Sequence, residues 1–582
     1  MEKVLLKRVS GIVVVALLIA GAAAYALRPG PVVPEGAPTE TAMARGIGTP
    51  VMEHLYRGHY PGRSGDISMV AEPYSYVIGD WDVRTLGSDT PTTTTTHGNP
   101  WDYLTRVPII VRGGPLEGIG QDIYDEVDIA DLAPTYAQMI GMDDFEADGE
   151  PLPGFPAPSK KPKLIFTVVI DGGGWNVLQA QPKSWPVLDG LRRDGTTYVN
   201  ATIGSAPSIT AALHATFGTG SYPKETGMPG HVVRADDGEL VDIYLSEADP
   251  RYLRLPALAE LWDEANDNEA EVGTVAFEDW HLGMIGHGAY RDGGDKDVAV
   301  LWEREEEEWW VNEDYYTLPS YLQTTDITSL ESYEDQLDGR DGVIDGLWFG
   351  RTLEQLRERT VRPGTPAFTR FTGDAVIDVL RNEDFGVDDI TDMLWVEMKM
   401  PDYAGHSWTM SGPEQADVLF EVDKQIGRMI DELDRTVGKD DYVLVVTADH
   451  GQQPLADLRG GWRISATEVR RDIEERFGPV IEKVTPADIF LDYDAMEEAG
   501  HTAEDVARYL GAYTIADNIP EDLPGAERVP EARLGERVFA GVFTTGFLGG
   551  LDAGTIDSYG NGDYPEGDFV VTREPGAAAG DQ

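Results

Sequence analysis

The chain of 582 residues has no cysteine and is poor in cations: 46 Lys and Arg stand against 103 Asp and Glu, a formal net charge of −57. Without cysteine there is no disulfide framework, no thiolate zinc knuckle, no iron–sulfur cluster and no thiol nucleophile. Any transition metal has to be held by histidine and carboxylate, and only ten histidines are available. The shortage of cations excludes a nucleic-acid polymer as partner, because affinity for that backbone comes from Lys and Arg displacing counterions. What is present suffices for a core: 41 % of the residues are hydrophobic and 9 % aromatic. The acidity therefore does not signify disorder. The length suits several domains, or one large α/β enzyme with a cap.

Charge is also missing near the N-terminus. Residues 9–27 (VSGIVVVALLIAGAAAYAL) carry no charged side chain and follow Lys3, Lys7 and Arg8. Their length matches the roughly 20 residues that cross a bilayer core, and the preceding cations place the N-terminus in the cytoplasm. The expectation is a single membrane helix (1–28) with an extracytoplasmic catalytic domain. The alternative is a secreted chain, cleaved after Ala24-Tyr25-Ala26. Residues 29–50 read as a Pro/Gly/Ala-rich linker and 556–582 as a disordered acidic tail.

Between these ends, apolar runs stop at polar residues. Residues 164–170 (LIFTVVI) run into Asp171, 393–398 (MLWVEM) towards Asp402, and 442–447 (YVLVVT) into Asp449-His450; 107–111 (VPIIV) follow His97. Such runs read as strands covered on both faces. Helical patterns at 186–193, 211–217, 257–266, 413–433 and 502–510 alternate with them. The alternation predicts a doubly wound α/β fold with a mostly parallel sheet and helices on both faces, with ligands at the carboxyl ends of the strands. The acidic, aromatic stretch 236–392 reads as an inserted cap, and the Glu305–Glu308 run within it as a solvated face.

Three elements bring carboxylate and imidazole together: Asp171 before three glycines, Asp402-Tyr403-Ala404-Gly405-His406, and Asp449-His450-Gly451. This is the ligand chemistry of hydrolytic zinc or manganese sites. A lone Asp-His pair is more often structural; an ordered set at strand ends is not. Between them Thr210 directly precedes a helical stretch, where it reads either as an N-cap or as a hydroxyl aimed at an anion-binding helix N-terminus. Held at a metal, that hydroxyl would ionise and become a nucleophile.

With these pieces the chain resembles the alkaline phosphatase superfamily, most of all its type I phosphodiesterase/nucleotide pyrophosphatase branch. The similar stretches are VVIDGGGWNVL, VLDGLRRDGTTYVNA, PSIT, GTGSYPKETGMPG, KMPDYAGH and VVTADHG. The resemblance implies an alkaline-phosphatase-like fold and two divalent metal ions, zinc first and manganese second. It implies Asp171, Asp449, His450 and Thr210 at one metal, and Asp402 and His406 at the other. Thr210 stands nine residues before Thr219-Gly220, the spacing superfamily members show; the rival hydroxyls Ser205 and Ser208 lack it. The implied activity is hydrolysis of small phosphoesters through a phospho-threonine.

The family needs one more histidine, supplied late in its chain. His501 sits in what reads as an ordinary helix start. A better match is 96–112, THGNPWDYLTRVPIIVR, followed by 127–142, VDIADLAPTYAQMIGM, which is similar to the family's usual ending. The chain thus resembles a circular permutant. Residues 51–150 hold the normally C-terminal segment with His97 as the missing ligand, 151–235 the core with the nucleophile, and 393–555 the second metal-binding half. Permutation is tolerated where original termini lie close together.

Departures limit the substrate. Ala211, Ala212 and Leu213 follow Thr210 in place of the branch's Phe and Pro-Asn, and His231 stands where a phosphate-binding Asn is usual. His231 and Lys399 are candidates for substrate binding. The cap stretch 277–289 lacks the Lys-x-Arg pair of some monoesterases, which favours a diester; its His281 and His287 read as structural. Trp309, Trp310, Tyr315 and Tyr316 suit either a substrate pocket or, more cheaply, a cap core. A phosphomonoesterase, a membrane-anchored phospho-group transferase and a non-catalytic binding protein are the other readings; Ile209 after Ser208 and the absence of cysteine exclude a sulfatase.

Overall fold

The computed structural model describes residues 47–78, 95–519 and 529–551, except 115, 117–119, 156 and 157, and also 554 and 556. The strands that build the site's scaffold are, in chain order, β1 (Ile67–Ala71), β2 (Ile109–Gly113), β3 (Gln121–Ile123), β4 (Leu164–Ile170), β5 (Thr196–Tyr198), β6 (Val272–Val275), β7 (Val298–Glu303), β8 (Glu308–Trp310), β9 (Asp392–Met398), β10 (Tyr442–Thr447), β11 (Ile481–Val484), β12 (Asp488–Leu491) and β13 (Phe539–Thr544). Nine of them form one sheet in the order β8-β7-β6-β9-β4-β10-β2-β5-β3. From β7 to β10 every neighbouring pair is parallel. β2 lies antiparallel between β10 and β5.

Every residue of β4, β9 and β10 is buried, the setting that near-continuous apolar strands require. Their register is flush. Ile170 faces Met398, and Val169 faces both Glu397 and Thr447. The carboxyl ends of the three strands therefore stop side by side. The helices used below are α1 (Thr49–Gly58), α2 (Thr210–Thr219), α3 (Pro366–Asn382), α4 (Met400–Trp408) and α5 (Pro413–Leu433). α5 begins with Pro413 at its first position, after Gly412, where the missing N–H costs nothing. Its buried Val418, Val422, Ile426 and Met429 follow a helical period and pack towards the core.

A second, four-stranded antiparallel sheet has the order β11-β12-β1-β13. It has a core of its own, including Ile67, Val469, Ile489, Val506 and Val542. Its β1 comes from the front of the chain and its β13 from the back. The same joining of ends recurs beside it, where Val51, Met52 and Leu55 of α1 share an apolar cluster with Phe543, Leu548 and Ile556. Thr49 Oγ1 donates to the Ile556 carbonyl at 3.2 Å.

Several expectations change. The stretch 236–392 is not a cap set wholly apart, because β6, β7 and β8 extend the main sheet; Val272, Val275 and Val300 supply apolar faces for that sheet to bury. The strand expected at 107–111 begins at Ile109 and runs antiparallel. Helix α1 starts at Thr49, inside the expected linker. The expected membrane span at 9–27 and the tail beyond 556 lie outside the described residues; among those described, no helix is long and apolar enough to cross a membrane.

The Thr49–Ile556 contact generates a test. A chain that joins Ile556 to Ile47 through a short linker and opens between the exposed Lys160 and Lys161 is expected to melt cooperatively, within a few degrees of the parent. Loss of the cooperative transition would show that the ends cannot be exchanged.

Candidate active site and metal centre

β4 delivers Asp171, and the chain turns sharply at Gly172. That residue has φ +67°, and a Cβ there would lie 2.6 Å from Gln452 Nε2. Only glycine meets both conditions. The turn lets the Gly172 N–H donate to Asp449 Oδ1 at 3.0 Å, while the Asp171 N–H donates to the Met398 carbonyl at 3.2 Å. The three strand ends are thereby tied into one platform. Asp171, Glu397, Asp402 and Asp449 stand on it as buried carboxylates.

Lys399 lies among them. Its Nζ is 2.7 Å from Asp171 Oδ2, 2.9 Å from Asp402 Oδ2 and 3.2 Å from Thr210 Oγ1. Thr210 is the first residue of α2, and Ile209, not Thr210, is the N-cap. The hydroxyl is thus not spent on capping and faces the ammonium. The Ser208 hydroxyl instead donates to the Asn99 carbonyl and accepts from the Gly98 N–H, holding the loop that carries His97. Ser205 Oγ is buried without a partner.

The imidazoles are oriented by backbone. Nδ1 of His97 donates to the Ser208 carbonyl at 2.5 Å, Nδ1 of His406 to Thr95 at 2.7 Å, and Nδ1 of His450 to Gly451 at 2.9 Å. Each ring is fixed in the tautomer that leaves Nε2 bare, as a metal-ligating histidine needs. His97 Nε2 and His406 Nε2 then lie 3.5 and 3.2 Å from Asp402 Oδ1. His450 Nε2 lies 3.5 Å from Asp171 Oδ1 and 3.3 Å from Asp449 Oδ2. The His97 and His450 rings stack at 3.8 Å, joining the two groups.

The structure thus brings together Asp171, Thr210, Asp402, His406, Asp449, His450, His97 and Lys399. His231 stands apart from the carboxylates, its ring stacked on Trp280 at 3.9 Å, and burial lowers its pKa to about 3. His501 packs edge-on against Phe477. His287 is held by Glu260 at 2.9 Å and the Leu253 carbonyl at 3.0 Å, a structural role.

His281 has no such purely structural setting. Its Nε2 lies 3.7 Å from Asp171 Oδ2 and 3.6 Å from Glu397 Oε2. His214, one turn after Thr210, meets it edge-on at 4.6 Å. Sequence reasoning missed His214 and Glu397 and took His281 as structural. The signal that could have found them is spacing: His214 is four residues after Thr210 on one helix face, and Glu397 is the last residue but one of β9, two before Lys399, which follows the strand as the N-cap of α4.

Electrostatics shows what the cluster lacks. Burial raises the Asp449 pKa far above the carboxylate range, and neighbouring Asp171 adds to it; Glu397 is raised by the same two causes. Burial also acts on Asp402 and Asp171, but His406 and Lys399 outweigh it for the first and Lys399 for the second, so both are lowered. Burial lowers His97, helped by His450. Four carboxylates face one ammonium. Asp171 Oδ1, Asp449 Oδ2, His450 Nε2, His214 Nε2, His281 Nε2 and Glu397 Oε1 are buried with no hydrogen-bond partner, although buried polar atoms are nearly always paired. The donor set fits cations: His97, Asp402 and His450 converge in one group, Asp171, Asp449 and His450 in a second, and Asp171, His214 and His281 in a third. Nitrogen and oxygen ligands of this kind suit zinc or manganese.

A cavity of about 680 Å³ opens beside this cluster, lined near it by Thr96, Ile209, His231, Tyr403 and His406. Trp309 and Tyr316 are core instead: Trp309 stacks on Phe371 at 5.3 Å, and the Tyr316 hydroxyl donates to the Gly286 carbonyl. Trp310 and Tyr315 pack partly buried against the same core. Glu305 and Glu308 are exposed, while Glu307 pairs with Arg362.

Known proteins with similar sequences are named for phosphate chemistry or transport. The chain is 24 % identical to alkaline phosphatase PafA of Elizabethkingia meningoseptica over 60 % of its own length and 72 % of that protein. It is 25 % identical to a calcium-transporting ATPase of Myroides odoratus over 58 % and 70 %. A crystal structure of PafA superposes with a TM-score of 0.48 at 18 % identity, covering 65 % of this chain and 84 % of that one. The similarity places the chain among the phosphoester-cleaving enzymes of the alkaline phosphatase superfamily. A family profile described as type I phosphodiesterase / nucleotide pyrophosphatase matches residues 165–540, and the chain belongs to that family.

The orphaned ligand atoms predict metal-dependent stability. Dialysis against a chelator is expected to lower the melting temperature by several degrees, because a ligand bound only to the folded state stabilises it. His97→Ala is expected to reduce bound divalent metal, read by elemental analysis. An unchanged melting temperature together with parental metal content in His97→Ala would contradict both the cation and the His97 assignment.

Proposed function

We propose that the protein hydrolyses small phosphoesters by transferring the phosphoryl group to Thr210 and then to water. One observation carries this: the Thr210 hydroxyl stands at the N-terminus of a ten-residue helix, 3.2 Å from Lys399 Nζ and between oriented Asp/His groups. Asp171, Asp449, His450 and Thr210 would hold one divalent ion, and His97, Asp402 and His406 a second, zinc before manganese. Bound there, such ions supply Lewis acidity to phosphoryl oxygens and ease loss of a hydroxyl proton.

The chain's own residues do the rest. Thr210 Oγ1 attacks phosphorus; the Thr–O–P bond forms as the ester P–O bond breaks, and the alcohol leaves with a proton. Lys399 donates to the attacking oxygen and compensates charge between Asp171 and Asp402. The first N–H groups of α2 have no intrahelical acceptor and favour the phosphoryl oxygens. Water then cleaves the phospho-threonine, restoring the hydroxyl and releasing phosphate or its monoester.

A diester or pyrophosphate-type substrate is the preferred reading, supported by the large cavity beside Thr210, which has room for an ester arm. A phosphomonoester is the second reading, supported by the relatives named alkaline phosphatases. The permuted order of segments belongs to the same proposal. It is supported by β1 lying between β12 and β13, by the Thr49–Ile556 hydrogen bond and by His97 stacking on His450. The proposed setting is extracytoplasmic, anchored through residues 9–27 or released after cleavage, as their apolar character suggests.

Thr210→Ala is expected to lower kcat by about a thousandfold or more, as nucleophile removal does elsewhere, with metal content kept. Quenching the parent enzyme in acid during turnover is expected to trap phosphate on the peptide carrying Thr210. Parental turnover in Thr210→Ala would defeat the nucleophile assignment.

A further inference from the structure

The cavity beside Thr210 is walled by both parts of the fold. His231, Tyr403 and His406 stand on the side of the main sheet, and the β11–β12 hairpin supplies Lys483 and Phe490 on the other. The hairpin's opposite face is core, with Ile481, Val484, Ile489 and Leu491 in one apolar cluster, and Val484 also reaches the cavity wall. In a regular strand Ile481 and Val484 would point to opposite faces. The register shifts between Ile481 and Lys483, so both apolar residues reach the core while Lys483 pairs with Phe490 on the cavity side. A bulge of this kind re-aims a side chain and recurs beside functional sites.

The charges of the cavity wall single out Lys483. Arg304 is committed to Glu278 at 2.8 Å and to the Tyr403 hydroxyl at 3.1 Å. Arg351 is paired with Glu414 and lies over Trp408. The lining carboxylate, Asp488, accepts from Ser68 at 2.7 Å. Among the described residues the Lys483 ammonium has no hydrogen bond or ion pair, in a chain with more than two acids per cation. Ile78, Leu356, Trp408 and Phe490 make the neighbouring wall apolar. Ligand cavities combine an apolar lining with a few placed polar groups that set specificity in this way.

We propose that this cavity receives one ester arm of the substrate, and that the arm has an apolar or aromatic body ending in an acidic group, carboxylate or phosphate, which Lys483 binds. The inference rests on the phosphoester reading for the position of the scissile phosphate and adds the chemistry of the arm. Lys483 is a specificity-determining residue, distinct from Lys399 at the reacting atoms.

The test measures binding by calorimetry in full-length Thr210→Ala protein, which keeps the diester intact. The probes are diphenyl phosphate, phenyl 4-carboxyphenyl phosphate and phenyl 4-(phosphonomethyl)phenyl phosphate. At least one acidic diester is expected to bind about tenfold tighter than diphenyl phosphate, the worth of one charge-assisted hydrogen bond. The tighter of the two identifies the acid. Adding Lys483→Met is expected to bring the ratio near one, and Lys483→Arg to preserve it; Lys483→Gln replaces Met if circular dichroism shows a misfolded variant. Equal binding of all three probes by the parent, or a preference that survives loss of the charge, overturns the proposal. Failure of the phosphoester reading shows separately, as no hydrolysis of 4-nitrophenyl phenyl phosphate by the unsubstituted protein, and leaves the binding ratio readable.

Discussion

Burying Asp171, Glu397, Asp402 and Asp449 at the end of one sheet is the constraint that the rest of the structure answers. Each such charge costs several kcal/mol to desolvate unless it is paired. Lys399 meets part of this by bridging Asp171 and Asp402. It cannot meet the whole, since one ammonium faces four carboxylates and two of them are pushed far up by burial. The surroundings are arranged for positive charge: five imidazoles, each with Nδ1 at a backbone carbonyl, and the amino end of α2 all converge there. The chain's net charge of −57 is therefore no measure of the field that a phosphoester meets. Cations held at those strand ends would set the local sign, and the acidity of the exterior favours solubility.

The site was legible where chemistry follows a long apolar strand. β4, β9 and β10 are continuous buried runs, and the residues that follow them, Asp171, Asp402 in the first turn of α4, and Asp449-His450, are those found together. Legibility failed where a segment is short or its environment is set by distant chain. β6 is only Val272–Val275, too brief for a periodic signal within an acidic stretch, so 236–392 read as a cap. His281 sits on a short 3-10 turn whose sequence says nothing of Asp171. It reaches the site because Gly283 packs on Ala215 of α2, where a Cβ would lie 2.7 Å from the Ala215 Cα, and Gly218 packs on Gly283 in return. Two glycines set that approach, and their meaning appears only when the two segments are seen together.

His97 shows the opposite case. No helix or long strand carries it, yet its place could be inferred from the motif around it and from the scarcity of histidine. The structure supplies the physical reason it can serve. The Ser208 hydroxyl accepts from the Gly98 N–H and donates to the Asn99 carbonyl, and the Ser208 carbonyl accepts a hydrogen bond from the His97 Nδ1–H. The loop before α2 therefore fixes both Thr210 and His97, although 111 residues separate Ser208 from His97 in sequence. Whatever displaces that loop moves His97 and Thr210 at once.

This coupling also explains why the front of the chain is held so firmly to the rest. His97 can orient a cation only if its segment is as rigid as the strands opposite it. β1 between β12 and β13, the apolar cluster joining α1 to residues 540–556, and β2 between β10 and β5 fix that segment on three sides. The same packing places the β11–β12 hairpin over the cavity, so the element that carries Lys483 is anchored by the strand that leads towards His97. The position of His97 and the far wall of the pocket are thus consequences of one packing arrangement, and a change in how the front segment docks would shift both together.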